Sequence, residues 1–204
     1  MNKIKSLILF TLITVLFISA SPHANAGVSP VGFSLVHKVE LPPSDFSVTG
    51  LRLSALWGIH RKVYGFDFGG LGNITEQQFV GTAVSGGFNL NQGQTHIVGL
   101  QAAGVANINN NNARILGLQV AGLLNSNKAE SRVLGLQIAA IANISPHTDV
   151  YGAQIGLYNR AHDVYGFQIG LINMADSLHG IQIGLLNFNV RGLFAVSPIL
   201  NIGF

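Results

Sequence analysis

VYGAQIGLYN (150–159), VYGFQIGLIN (164–173) and LHGIQIGLLN (178–187) repeat nearly the same ten residues three times in succession. Each stretch carries one Gln between two glycines, and none carries a Lys, Arg, Asp, Glu or Cys. A repeat without catalytic side chains is first a matter of geometry.

Aligned on the first Gly, such units begin at Val48, Val63, Phe79, Ile97, Ile115, Val133, Val150, Val164 and Leu178, and that Gly recurs every 14–18 residues. Nine units at near-constant spacing mark a repeat architecture. Between them lie polar linkers such as INNNNAR (108–114), SNKAESR (126–132) and RAHD (160–163). An interior Gly costs a helix about 1 kcal/mol, so the units read as strands joined by turns.

Alternation along a strand divides each unit into two faces. In 164–173 one face holds Val164, Gly166, Gln168, Gly170 and Ile172. The other holds Tyr165, Phe167, Ile169, Leu171 and Asn173. The first face is small with a central amide, the second bulky and apolar. The small face is also nearly palindromic, so Gln101, Gln119, Gln137, Gln154, Gln168 and Gln182 can lie side by side whichever way neighbouring strands run. A row of amides can satisfy its own hydrogen bonds. Earlier units put Arg52, Asp67 and Ala83 at the Gln position, and Arg52 and Asp67 on adjacent strands can form a bidentate bridge.

The ends suggest export. MNKIK is a short basic start, an apolar run follows, and ANA ends at Ala26, which together predict a secretory signal peptide over 1–26. The remainder, 27–204, is expected to be a single β-repeat domain, with units over about 48–187 and a C-terminal strand over 193–204. VGFSLVHKV (31–39) supplies a first strand. The expected fold is all-β, an antiparallel meander of about 11–12 short strands closed as an outer-membrane-type β-barrel. Ten tilted residues span about 25 Å, the height of a bilayer's apolar band. The bulky face would meet lipid, with Trp57, Tyr64, Tyr151, Tyr158 and Tyr165 as an interfacial girdle. A terminal alternating strand ending on Phe204 looks like an outer-membrane assembly signal. The alternative is a β-solenoid, whose uniform rungs explain the short linkers. Parallel pairing of 164–173 with its two neighbours would decide for it.

Composition narrows the partners. Charged residues make up 9% of the chain, against about 25% in a typical soluble domain. Loss of Lys3 and Lys5 with the signal leaves nine Lys and Arg against eight acids, so nothing points to nucleic acid. Membrane lipid and the outer-membrane assembly machinery are the expected partners. The chain has no Cys, which excludes disulfides and thiolate chemistry.

GLRLSALWGIHRKVYGFDFGGLGN (50–73), the GLQ-x-G-x-x-N units and the terminal SPILNIGF (197–204) resemble a family of bacterial surface-repeat proteins. The resemblance covers about 48–204, and FVGTAVSGGFN (79–89) departs from it at Ala83. It implies an exported, envelope-associated protein without an assigned activity, and it carries over no site residue.

The search for chemistry returns no catalytic, cofactor-binding or metal residue. His37, His60, His96, His147, His162 and His179 show no ligand spacing and have no Cys to join them. No phosphate loop or nucleophile elbow occurs. The densest polar cluster is His37, Lys38, Glu40, Asp45, Arg52, Arg61, Lys62 and Asp67. The expected protein is therefore a non-enzyme of the outer membrane or cell surface, with a structural or narrow-pore role. The alternative is a soluble or peripheral repeat protein serving as an interaction module.

Overall fold

The computed structural model describes residues 27–36 and 38–204; the expected signal peptide and His37 lie outside the described residues. Sixteen strands follow one another, with no helix among the described residues. They are β1 (Val28–Val36), β2 (Val39–Leu41), β3 (Ser47–Ser54), β4 (Trp57–Gly69), β5 (Gly72–Ser85), β6 (Phe88–Asn91), β7 (Gln94–Ala103) and β8 (Ala106–Asn109). Then come β9 (Ala113–Ala121), β10 (Leu124–Asn127), β11 (Ser131–Ala139), β12 (Ala142–Ser145), β13 (Thr148–Ile155), β14 (Tyr158–Ile169), β15 (Ile172–Asn189) and β16 (Val196–Gly203).

The pairing is parallel. Residues 164–169 lie between 150–155 and 178–183 in register, with Gln154, Gln168 and Gln182 as Cα partners. The same holds from β7 through β9 and β11 to β13. A second parallel row stacks β6, β8, β10 and β12 onto the first residues of β14. The chain is therefore a two-sided β-solenoid, which corrects the expected antiparallel meander, the closed barrel and its narrow lumen.

The physical reason lies inside each unit. Residues 164–173 are not one strand, because the chain turns at Gly170 and Leu171 between β14 and β15. The turn reverses the sense of the alternation. Val164 and Gln168 point inward, as the small face requires, but Asn173 is fully buried on the second sheet instead of lying on the bulky outer face. Each unit thus contributes half a coil to each sheet, and the polar linker returns the chain to the first.

Inward rows fill the core, and three of them are continuous. The leading apolar residue of all nine units, Val48 through Leu178, is buried and forms one of them. The Gln row runs beside it. Gln119 Nε2 donates to Gln101 Oε1 at 2.8 Å, Gln137 to Gln119 at 2.6 Å, and the chain continues through Gln154 and Gln168 to Gln182. Opposite it, an Asn row donates from Asn73 through Asn89, Asn107, Asn125, Asn143, Asn159 and Asn173 to Asn187, at 2.8–3.0 Å. Each bond offsets the cost of burying an amide, which is about 1–3 kcal/mol for an unmatched group.

The Gly two residues before each Gln has a steric reason. Gly117 has φ +124°, and a Cβ there would stand 2.2 Å from the Gly99 carbonyl oxygen. Only Gly occupies that conformation at low cost, and only Gly lets the coils stack so closely.

The two ends differ from the middle. At the N-terminal end β1 pairs in parallel with β3, and β2 folds back on β1 as a hairpin. At the other end β16 runs antiparallel to β15 and covers both of its sheets, pairing Gly180 with Gly203 and Phe188 with Val196. The expected first and last strands, 31–39 and 193–204, are β1 and β16 with shifted limits. The C-terminal alternation serves as a cap on the stack rather than as the closing strand of a barrel.

Candidate functional site

The cluster singled out in the sequence separates into two groups. Arg52, Asp67, His60 and Glu40 come together inside the first coils. Arg52 Nε donates to Asp67 Oδ1 at 2.7 Å and Nη2 to Oδ2 at 2.5 Å, the bidentate bridge expected from their shared position. Arg52 Nη1 also donates to the Ile74 carbonyl at 3.0 Å. His60 Nδ1 lies 3.4 Å from Arg52 Nη1 and 3.7 Å from Glu40 Oε2, while Glu40 Oε1 accepts from the Ile59 N–H. Lys38 and Asp45 are exposed in the hairpin region, and Arg61 and Lys62 lie at the linker side.

Burial, and then the adjacent Arg52 charge, lower the His60 pKa to about 4. Burial pushes the Asp67 carboxyl above its ordinary range, and the Arg52 charge and hydrogen bonds oppose that rise. The Arg52, His60 and Asp67 side chains are essentially inaccessible. These three side chains hold the core of the first coils together.

The exterior is strongly sided. At the tight turns an apolar row of Leu56, Leu71, Val105, Leu123, Ile141, Leu157, Leu171 and Leu185 is exposed, Leu185 by 66%. Phe66, Phe68, Leu116, Leu118, Phe167 and Ile169 extend that surface over the first sheet. Charged residues collect on the opposite, linker side, including Glu76, Arg114, Lys128, Glu130, Arg132, Asp149, Asp163 and Asp176. An apolar face this continuous is uncommon on a soluble monomer.

The expected aromatic girdle is not formed, because its members belong to different sheets. Tyr151 and Tyr165 stack at 4.6 Å, and His179 continues the stack at 4.5 Å. Tyr158 instead donates to Met174 Sδ on the second sheet at 3.3 Å.

On the linker side the structure brings together Asp149, His162 and Asp163, with one ligand atom from each lying within 4.8 Å of the others. Reading the sequence residue by residue missed this group. Its signal is that Asp149 and Asp163 each precede the leading Val of a unit. Parallel stacking makes such positions neighbours, whereas a meander does not. In comparisons with known proteins, no family model matches the chain, and no curated protein or solved structure does.

Proposed function

We propose that the protein is an exported, envelope-associated repeat protein whose solenoid is an interaction module, resting its apolar faces on lipid and presenting its linker side to the aqueous phase. The supporting observation is the segregation of charge. The segments 98–108, 115–127, 133–145, 150–159 and 164–175 contain no Lys, Arg, Asp or Glu, and their outward aliphatic side chains are exposed or half-buried. Burying apolar area yields about 25 cal/mol per Å², so even part of this face gives lasting adsorption. The role is peripheral, since strands that wind into a solenoid do not enclose a lumen.

Flotation of residues 27–204 with phosphatidylethanolamine–phosphatidylglycerol vesicles in 1 M NaCl tests the reading. High salt removes most purely electrostatic adsorption, and the protein should still float. The triple variant Leu123→Glu, Leu157→Glu, Leu171→Glu should sediment, whereas Arg114→Gln should float unchanged. A wild-type chain left in the dense fraction, with its circular dichroism intact, overturns the proposal.

A further inference from the structure

We propose that Asp149, His162 and Asp163 form a binding site for a divalent transition-metal cation of the Zn²⁺ type on the linker side of the solenoid. His162 Nδ1 lies 3.3 Å from Asp149 Oδ1 and 3.3 Å from Asp163 Oδ1. Zn²⁺ binds carboxylate oxygen and imidazole nitrogen at about 2.0–2.2 Å, and tetrahedral angles then place two ligand atoms about 3.3–3.5 Å apart. Both imidazole–carboxylate separations thus already suit one ion, and the two carboxylate oxygens lie within 4.8 Å of each other.

Two further observations point the same way. Asp163 Oδ1 is shut off from solvent and accepts no hydrogen bond. Asp149 and Asp163 each stand one residue before the paired Val150 and Val164 of parallel strands, close enough for like charges to repel. A cation between them removes that repulsion. On the far side of the ring, His162 Nε2 is 3.9 Å from Asp176 Oδ2. A carboxylate facing the second nitrogen commonly orients a metal-bound imidazole. Asp176 is itself held by Arg160 Nη2 at 2.6 Å.

One group competes. Arg191 Nη2 lies 3.3 Å from His162 Nε2. Arg is only a donor, so this contact uses the Nε2 lone pair and keeps the proton on Nδ1, the nitrogen the metal needs. Loading the site requires Arg191 to swing away, the proton to move to Nε2, and that N–H to turn toward Asp176. Asp149 and His162 also line a polar trough of about 620 Å³ together with Arg114, Arg132 and His147. A small anion could complete the sphere there.

The test is calorimetric titration of residues 27–204 with ZnCl₂ and visible spectroscopy with CoCl₂, both without lipid, so that failure of the lipid reading leaves this result interpretable. One ion per chain and a tetrahedral Co²⁺ band are expected. His162→Ala and Asp163→Asn should each weaken binding by at least about 10–100-fold, the loss that even outer-sphere partners typically cause. Arg191→Ala should tighten it, which a merely structural role for the cluster does not anticipate. His179→Gln, a histidine control outside the cluster, should leave it unchanged. Melting curves identify any variant that fails to fold, and the folded Arg191→Ala protein keeps the question decidable if the ligand variants do not. Absence of saturable binding, or equal affinity in wild type and His162→Ala, overturns the proposal.

Discussion

The first coils and the later ones solve the same problem differently. From Gln101 onward, the position two residues after the stacked Gly is an amide, and from Gln119 to Gln168 it donates to the coil before and accepts from the coil after. In the first coils that position is Arg52, Asp67 and Ala83; Arg52 donates to Asp67 and to the Ile74 carbonyl, and Ala83 offers no side-chain hydrogen bond. Ala83 separates the two systems, and Gln101 closes its own row by exchanging hydrogen bonds with Asn109. The second sheet shows the same contrast, with His60 and Thr75 where later coils place Asn109 and Asn127. Near the start, the Oγ atoms of Ser34 and Ser54, His60 Nε2 and Thr75 Oγ1 have no hydrogen-bond partner, whereas the middle of the Gln row is matched bond for bond. A repeated core position therefore does not demand an amide. It demands a group that agrees with the coils above and below, and near the start of the stack, where the strand above presents Gly32 opposite Arg52, a closed ion pair meets that demand.

The contrast can be broken most sharply at Asp67. Asp67→Asn leaves the Arg52 guanidinium buried opposite a neutral amide, and removing one partner of a buried pair typically costs about 3–5 kcal/mol. Urea unfolding should show a loss of that size. A loss under 1 kcal/mol would mean that the first coils are open to water.

Acid should act on the same coils next. The folded-state pKa of His60, about 4, is below the ordinary 6.5. Between these values the unfolded chain binds the extra proton, so the neutral, buried His60 contributes stability that is complete above pH 6.5 and lost as pH falls toward 4. At about 1.4 kcal/mol per unit the loss reaches about 3 kcal/mol. His60→Gln should flatten the stability profile between pH 6.5 and 4, as measured by thermal melts.

Gln137→Ala should cost about 2 kcal/mol or more, because it leaves Gln119 Oε1 without its donor from the following coil and Gln154 Nε2 without its acceptor. Gln182→Ala, at the end of the row, should cost visibly less. Equal losses would mean that the row is not cooperative along its length.

The smallest effect is expected of the double variant Arg52→Gln, Asp67→Gln. It replaces a buried ion pair by the amides used elsewhere, an exchange that is often close to neutral. It should be clearly more stable than Asp67→Asn alone, and if it is not, the two regions obey different rules after all.

Much of this was legible in the residues, and the missing part has a physical cause. The leading Val and the Gln two residues after the Gly do face one interior, and Arg52 does meet Asp67. The direction of pairing was not legible, because the Gly–Gln–Gly pattern is symmetric about its middle and satisfies parallel and antiparallel neighbours alike. The corner was hidden too. Gly170 and Leu171 make it without Pro, Asn or Asp, and an exposed Leu in a turn continues the apolar run that imitates one long strand. Asn173 was consequently assigned to the wrong side. The Asp149–His162–Asp163 group depends on that same corner and register, so it could not be read before they were known.

The Gln and Asn rows also point in opposite directions. Gln side chains donate toward the N-terminal end and Asn side chains toward the C-terminal end, and contacts such as Gln182 Nε2 to the Phe188 carbonyl and Asn125 Nδ2 to the Ile138 carbonyl fix both senses. Every middle coil therefore offers its neighbours the same sockets and plugs. Excising residues 117–134 would set Gly135 after Leu116 and bring Gln137 against Gln101 and Asn143 against Asn107, each joint remade with an identical partner. The coil count is in this sense a free parameter of the protein, adjustable by duplication or loss of one coil at a time, while the Arg52–Asp67 pair and the reversed strand β16 act as fixed bookends.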